Sequence, residues 1–279
     1  MSRSSSASPA GEAETPGDAE AGPACRNQEP AVGVHEPGRT AGLVVTITGS
    51  QQDAMSDRSL VLLFVKSPEK GKVKSRLAAA LGEETALELY RCFVIDTVDL
   101  LRRGRYPFRI CYDPPDSEAT ITGWLGAAFR YRPQRGEDLG SRMKNAFIDA
   151  FSEGYKKALL IGSDIPDLEN RVIVEALVSL DRHEAAIGPA ADGGYYLIGF
   201  TRQSFLPGIF DGITWGTDSV FRDTMGILHE SGSSVHVLPA WRDIDSLDDL
   251  RALVFRNADT GFKKSATMKY LTTHTIAAR

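Results

Sequence analysis

The sequence lacks the short motifs that mark nucleophilic hydrolases and zinc proteins. It contains no GxSxG, no HExxH and, among its three cysteines, no CxxC. GxSxG presents the serine of α/β-hydrolases, HExxH supplies two zinc-binding histidines, and paired cysteines mark structural zinc or disulfide frameworks. The five histidines also avoid the loops after the predicted strands. Hydrolysis by a serine or cysteine nucleophile and a structural zinc site are therefore not expected.

Long apolar runs are missing as well. The longest have the length of a β-strand, well below the ~20 residues that a membrane-spanning helix needs. The N-terminus has no apolar core of the kind that defines a signal peptide. The sequence therefore predicts no membrane span and a cytoplasmic protein.

Basic charge is not in excess over most of the chain. Residues 1–57 carry three of the 32 basic residues and eight of the 37 acidic ones, which leaves 29 of each sign in the rest. Nucleic-acid binding needs a basic footprint. The neutral charge of residues 58–279 therefore predicts no nucleic-acid partner. It does not exclude small basic clusters within that part of the chain.

Composition divides the chain into three parts. Residues 1–57 contain no Lys, Phe, Tyr or Trp, and such a segment buries too little apolar surface to offset its ordering entropy. We predict a disordered leader there, within which Leu43–Ile47 is a candidate edge strand and Met55 a candidate start of the native protein. Residues 58–258 read as one domain, and residues 259–279 as a polar C-terminal tail.

Strand and helix patterns alternate through the body. Leu60–Val65 is a continuous apolar run, typical of a strand buried on both faces, and Glu83–Arg103 follows with helical spacing. The alternation predicts a three-layer, Rossmann-like α/β fold with a mixed, mostly parallel sheet. The other predicted strands are Phe108–Tyr112, Phe129–Tyr131, Ala158–Gly162, Ala185–Gly188, Tyr195–Phe200 and Val235–Leu238; the other helices are Leu139–Gly154, Arg171–Leu180, Ser219–Ser231 and Asp245–Phe255.

A basic loop follows the first strand. Four lysines and one arginine fall within residues 66–77, at the strand end where ligands bind in such sheets. Ammonium and guanidinium groups at a turn suit phosphate oxygens, so Lys66, Lys74 and Arg76 are predicted phosphate ligands. The spacing is not that of a Walker A loop. A solvated basic loop is the alternative.

Asp164 follows directly after the predicted strand Ala158–Gly162, in the segment GSDIP (162–166). A carboxylate on a rigid strand end is able to hold Mg²⁺ or Mn²⁺ against a diphosphate. We predict Asp164 as a catalytic and metal-binding residue, with Ser163 beside the phosphates. The alternative is a helix cap, which fits Asp167 better because a helix is predicted to open at Leu168.

The loop after Ala185–Gly188 contains Asp192, Gly193 and Gly194. Adjacent glycines let the backbone approach a ligand closely. Asp192 is a predicted catalytic residue, suited to bind a metal, a sugar hydroxyl or an acceptor. Gly193, Gly194 and Tyr195 are predicted substrate contacts. The alternative is that Asp192 and Gly193 only form a tight hairpin turn. A hairpin turn and a binding site can coexist in this loop.

Two weaker candidates lie in loops before helices. Gly140 and Arg142 stand where free helix amides suit a nucleotide, although Asp138 fits a plain N-cap equally well. Trp215 and Thr217 suit a sugar or acceptor, with Asp218 as a catalytic candidate; a half-buried structural tryptophan is the commoner meaning.

Asp243 and Asp245 precede the last predicted helix. One suits a second metal ligand and the other a cap, and the residues alone do not rank them. Ser246 is a plausible N-cap, with Asp249 three residues on, close to a capping box.

Six motifs in order resemble the bacterial GT-A-fold glycosyltransferase-like family, whose members are described as arsenosugar-biosynthesis-type or radical-SAM/selenodomain-associated transferases. The resemblance covers about Leu60 to Leu253. The motifs are KGKVKSRL (70–77), DLGSRM (138–143), GSDIP (162–166), GPAADGGYYLIG (188–199), ITWGTD (213–218) and DIDSLDDL (243–250).

The resemblance implies a nucleotide-sugar donor, a small-molecule acceptor and Mg²⁺ or Mn²⁺ at the donor diphosphate. Asp164 would fill the role of the metal-binding acidic motif, but the usual Asp-x-Asp is reduced here to one carboxylate. A more distant similarity links the chain to phospholactate and molybdenum-cofactor guanylyltransferases. It leaves open a nucleotidyltransferase that uses a nucleoside triphosphate and releases pyrophosphate.

Overall fold

The structure is a computed structural model that describes residues 59–274 and 276. The predicted leader, including the candidate strand Leu43–Ile47 and the candidate start Met55, lies outside these residues. Within them, no helix combines the length and apolar character needed to cross a membrane.

Seven strands form one sheet. They are β1 (Ser59–Lys66), β2 (Phe108–Asp113), β3 (Tyr131–Pro133), β4 (Lys157–Ile161), β5 (Ala185–Pro189), β6 (Tyr195–Thr201) and β7 (Val235–Val237). The order is β3-β2-β1-β4-β6-β5-β7, and β6 alone runs antiparallel to its neighbours. The predicted mixed, mostly parallel sheet is confirmed.

Helices cover both faces of the sheet. They are α1 (Ser75–Leu81), α2 (Glu83–Arg103), α3 (Glu118–Leu125), α4 (Leu139–Ser152), α5 (Asn170–Ser179), α6 (Val220–Glu230), α7 (Leu247–Arg256) and α8 (Ala266–Thr273). The interior strand β1 explains the continuous apolar run. Leu63 packs in the cluster that contains α2 and α5, whereas its neighbour Leu62 packs in the cluster that contains α4 and α6.

Both predicted N-caps are confirmed. The Asp138 side chain accepts the backbone N–H of Ser141 at the start of α4, at 2.7 Å. Ser246 and Asp249 form a reciprocal capping box at the start of α7. Each cap satisfies helix amides that would otherwise lack partners.

Three local predictions differ from the structure. The third strand is Tyr131–Pro133 rather than Phe129–Tyr131, because Phe129 turns to pack on the ring of Phe108 at 5.5 Å. Helix α1 begins inside the predicted basic loop. Helix α3 has no counterpart in the prediction, since Ile121 is its one buried residue and makes too weak a periodic signal.

The segment predicted as a polar C-terminal tail contains folded elements between residues 261 and 273. Gly261–Lys264 forms a 3₁₀ turn, and α8 packs on α2 with Leu271 buried. Asp96 of α2 accepts the backbone N–H groups of Ala266 and Thr267 at 2.7 and 2.9 Å. The partner of this helix start lies 170 residues away in sequence, so local pattern gives no sign of it.

Candidate active site

A cleft of about 620 Å³ opens at the edge of the sheet where β1, β2, β4 and β5 end and β6 begins. Ligands of open α/β sheets bind at this edge. The structure places all but two of the predicted site residues, Gly140 and Gly193, on its wall. Those on the wall are Lys66, Lys74, Arg76, Arg142, Ser163, Asp164, Asp192, Gly194, Tyr195, Trp215, Thr217, Asp218, Asp243 and Asp245.

Lys74 lies at the centre of the charged wall. Its Nζ is 2.5 Å from Oδ1 of Asp164 and 2.8 Å from Oδ1 of Asp245, and its side chain is only 4% exposed. Burial opposes the charged form, but attraction to the two carboxylates outweighs it and raises the pKa of Lys74 above its ordinary value. The ammonium is therefore held as a cation between two anions.

The backbone of Lys74 is left-handed, with φ 49° and ψ 49°. This conformation costs a residue with a side chain about 1–2 kcal/mol. Lys74 is also the N-cap position of α1, where it makes no side-chain capping bond. The ion pairs, rather than the helix start, account for the direction of its side chain.

Asp164 ends the turn after β4 and keeps half of its side chain exposed to the cleft. Its backbone carbonyl accepts the N–H of Ile244 at 3.0 Å. This bond joins the loop of Asp164 to the loop of Asp243 and Asp245. The acidic residues on these two loops are consequently fixed on one wall.

Asp243 shows how much negative charge this wall holds. Burial, with repulsion from Asp192 next and from Asp245 and Asp164 after it, raises its pKa to about 6. Carboxylate oxygens are the donors that Mg²⁺ and Mn²⁺ prefer, so the chemistry of the set fits a hard cation. Over the described range, however, no three Asp, Glu, His or Cys side chains are placed to hold a metal ion.

Tyr90 of α2 fixes the start of the basic loop. Its hydroxyl accepts the backbone N–H of Lys66 at 2.7 Å and donates to the backbone carbonyl of Lys66 at 3.0 Å. Burial, and to a smaller extent the charge of Asp164, raises the pKa of the phenol. Tyr90 therefore stays neutral and holds the end of β1 in place.

The Asp192 loop is both a hairpin turn and part of the cleft. It joins the antiparallel strands β5 and β6, and Oδ1 of Asp192 accepts the N–H of Gly194 at 2.9 Å. Gly193 has φ +90°, and a Cβ there would collide with the backbone of Asp218. Gly193 thus permits close packing of two cleft loops instead of lining the cleft itself.

Trp215 is half-buried, as the structural alternative expects, and still lines the cleft. Its ring meets that of Tyr195 edge-on at 6.4 Å. Gly140, in the first turn of α4, lies directly beneath the indole and is buried. Its position makes it a support for Trp215.

Replacing Gly140 by alanine is expected to destabilise the fold by about 1–3 kcal/mol, the usual cost of overpacking. The added Cβ would lie 2.5 Å from Nε1 of Trp215 and 2.7 Å from the carbonyl oxygen of Phe210. Urea denaturation measures the effect. Gly226→Ala in α6 is the control, because its Cβ meets nothing within 4 Å, and it should stabilise by about 0.5–1 kcal/mol. Equal effects of the two changes would contradict the packing role.

The alternative interpretation, in which Asp167 caps the next helix, is wrong. Helix α5 begins at Asn170, and the buried Asp167 side chain accepts bonds from Arg256 (2.7 and 2.9 Å), Asn257 (2.7 Å) and Nε1 of Trp241 (3.2 Å). Asp167 therefore ties the Asp164 loop to the end of α7.

Sequence reasoning missed Asp113 and Gln134 on the cleft wall. Arg142 pairs with Asp113 at 2.9 Å, and the buried Gln134 donates to the carbonyl of Cys111 at 2.8 Å. Asp113 directly ends β2, so the strand-end rule could have identified it. Gln134 follows the short β3, whose weak pattern hides its position.

A larger cavity of about 1680 Å³ lies between α2, α7 and the C-terminal segment, and none of the predicted site residues lines it. Asp167 and Arg256, on its wall, are already paired with each other. The smaller cleft combines the strand ends with the concentrated charge, so we assign the candidate site there.

Comparisons with known proteins support a family assignment. A model of the family described as "uncharacterized protein conserved in bacteria (DUF2064)" matches residues 96–217. The crystal structure of a "putative nucleotide-diphospho-sugar transferase" from Desulfovibrio desulfuricans G20 is 42% identical, with a TM-score of 0.77, over 79% of this chain and 97% of that one. This chain belongs to the family of the Desulfovibrio protein. Its narrower resemblance to arsenosugar-biosynthesis-type transferases stays a prediction.

Other solved structures have lower sequence identity and lower TM-scores. A 4-diphosphocytidyl-2C-methyl-D-erythritol synthase from Anaerococcus prevotii DSM 20548 is 13% identical, with a TM-score of 0.48, over 74% of this chain and 97% of that one. A CMP:2-keto-3-deoxy-manno-octonic acid synthetase in complex with CTP is 11% identical, with a TM-score of 0.43, over 72% and 99%. Likenesses of this strength decide nothing about the activity of this chain. The search of the curated proteins found no match.

Proposed function

We propose that this chain is a transferase that moves a glycosyl group from a nucleotide sugar to a small acceptor, with Mg²⁺ or Mn²⁺ at the diphosphate. The observation that carries the proposal is the buried Lys74 ammonium between Asp164 and Asp245 at the carboxyl edge of the sheet. The 42% identical relative, described as a "putative nucleotide-diphospho-sugar transferase", supports the same class.

The proposed roles follow the walls of the cleft. Lys66, Lys74 and Arg76 neutralise the donor diphosphate, with Ser163 beside it. Asp164, with Asp243 or Asp245 and oxygens of the bound diphosphate, would hold the metal, which would neutralise charge on the departing diphosphate. Asp192 and Asp218 also line the cleft and are the catalytic candidates. Arg142 serves the nucleotide, while Gly194, Tyr195, Trp215 and Thr217 form the sugar or acceptor side.

Nucleotidyl transfer is the second candidate. Lys66, Lys72, Lys74 and Arg76 all line one stretch of the cleft, and a triphosphate needs more neutralisation than a diphosphate. In that reaction a phosphorylated small molecule attacks the α-phosphate of a nucleoside triphosphate, and pyrophosphate leaves.

Product analysis separates the two reactions. The protein is incubated with UDP- and GDP-sugars or with nucleoside triphosphates, in Mg²⁺ or Mn²⁺, and with sets of small hydroxylated or phosphorylated acceptors. We expect acceptor-dependent release of nucleoside diphosphate from a nucleotide sugar. Acceptor-dependent release of pyrophosphate would instead reject glycosyl transfer and establish the second candidate. A thermal-shift screen of the same nucleotides identifies the base, because a ligand that binds the native state raises Tm.

Arg76→Ala is expected to weaken nucleotide binding about tenfold or more, the value of one lost charge-assisted bond to phosphate. The Arg76 side chain is 72% exposed, and its ion pair with Asp245 is long, at 3.9 Å. Its loss should therefore change the free energy of unfolding little. Isothermal titration with the nucleotide found in the screen measures the affinity. Arg102→Ala is the control, because Arg102 pairs with Asp99 outside the cleft. Unchanged affinity in Arg76→Ala would remove Arg76 from the phosphate site.

A further inference from the structure

Lys74 occupies the place that a cation would take between two carboxylates. Its Nζ is 2.5 Å from Asp164 and 2.8 Å from Asp245, so it contacts one oxygen of each. A divalent ion bound to the same oxygen of Asp164 would lie against this ammonium. Two positive charges at such a distance repel each other strongly in a partly buried site.

The carboxylates on the cleft wall are placed to bind the Lys74 ammonium rather than a metal ion. Asp164, Asp243 and Asp245 supply carboxylate oxygens, yet within residues 59–274 and 276 no three acidic, histidine or cysteine side chains are placed to hold a metal. One oxygen of Asp164 and one of Asp245 already point at Lys74. The carboxylates of Asp164 and Asp245 are therefore arranged around the ammonium.

Lys74 is also placed to change partner. Its flexible stem starts in the loop that carries the other phosphate candidates, and its backbone is in the sparsely populated left-handed region. A phosphate group carries more negative charge than a carboxylate and accepts several hydrogen bonds. A diphosphate in the cleft therefore offers the ammonium a stronger partner than Asp164.

We propose that Lys74 excludes the divalent metal from Asp164 in the ligand-free protein, and that a diphosphate-bearing substrate admits the metal by drawing Lys74 away. This inference rests on the proposed function and specifies its binding order. The metal and the diphosphate enter together, and metal alone binds poorly. Lys74 acts here as a positioning residue that couples the two.

Mn²⁺ binding to the purified full chain tests the proposal, with water-proton relaxation as the readout because it reports protein-bound Mn²⁺ without any turnover. Without nucleotide, Lys74→Met should bind Mn²⁺ about tenfold or more tightly than the wild type, because the competing charge is gone. With UDP, GDP or CDP present, the diphosphate that binds should tighten Mn²⁺ binding in the wild type far more than in Lys74→Met.

Arg76→Met is the matched control. It removes the same charge from the same wall, 3.9 Å from Asp245, and Arg76 makes no ion pair with Asp164 in the structure. If it tightens Mn²⁺ binding as much as Lys74→Met does, general charge rather than occupation of Asp164 is responsible, and the proposal fails. It also fails if the wild type and Lys74→Met bind Mn²⁺ equally, including the case in which neither binds at millimolar concentration.

Lys74→Gln repeats the measurement with a polar side chain, and circular dichroism confirms that each variant is folded. If Lys74→Met does not fold, Lys74→Gln tests the proposal instead, with the same expected gain in Mn²⁺ affinity. Failure of the transferase assays would not alter the Mn²⁺ result, because that result needs no reaction. Conversely, if Lys74 does not compete with Mn²⁺ for Asp164, the proposed transferase activity is unaffected.

Discussion

Asp164→Asn is expected to lower kcat by about 10²–10³-fold or more, the loss seen when one preorganised charge-stabilising group is removed from an active site. Its carboxylate lies at the end of β4, half exposed to the cleft, with one oxygen on Lys74. The amide keeps the shape of the side chain but removes the negative charge that metal and ammonium both need.

The fold should survive this change. The Asp164 side chain is half exposed, and Lys74 retains Asp245 as a partner at 2.8 Å. The pair is only partly buried and Lys74 keeps one of its two carboxylates, so we expect a loss of about 1 kcal/mol and a small fall in Tm. Steady-state rates and thermal unfolding are measured on the same preparation.

Asp259→Asn provides the comparison, because Asp259 is 99% exposed and pairs with Lys263 outside the cleft. It should leave kcat and Tm unchanged. Near-normal activity of Asp164→Asn would refute the central role of Asp164 in the site.

Asp167→Ala is expected to lower the free energy of unfolding by about 1–3 kcal/mol, the cost of leaving buried hydrogen-bond donors without an acceptor. The Asp167 side chain is 3% exposed and accepts bonds from Arg256, Asn257 and Trp241. Truncation strands these donors beneath α7. Because the same loop carries Asp164, activity should fall even at temperatures where the variant is folded.

Urea denaturation measures this loss, and two further variants interpret it. Asp181→Ala removes a surface carboxylate that is 62% exposed and pairs with Lys157, so it should cost only about 0–1 kcal/mol. Asp167→Asn keeps the volume and some hydrogen bonds and should fall between the two alanine variants. An Asp167→Ala protein as stable as Asp181→Ala would show that the buried network contributes little.

Much of the fold was predictable because its signals are local. The apolar run of β1 reflects burial on both faces, and the capping residues Asp138 and Ser246 act within three residues of their partners. Most residues of the cleft were predictable from the strand pattern together with a rule of sheet geometry. Side chains that follow parallel strands meet at one edge whatever the details of packing, which is why Lys66, Asp164 and Asp192 share a wall.

Other features depend on partners that are distant in sequence. Nothing near Asp167 indicates that its carboxylate pairs with Arg256, 89 residues away. The helix at 266–273 begins on the carboxylate of Asp96 and packs on the apolar face of α2. Short polar segments carry too weak a periodicity to predict such packing.

The sequence by itself determined an α/β sheet, the order of its loops and the acidic and basic residues at the strand ends, because strand and helix periods and cap spacing are properties of neighbouring residues. Only the tertiary structure decided that Lys74 and Asp245, 171 residues apart, lie 2.8 Å from each other with Asp164 beside them. Charge pairing acts over a few ångströms and depends on burial, and both are set only when the sheet brings β1, β4 and the start of α7 together.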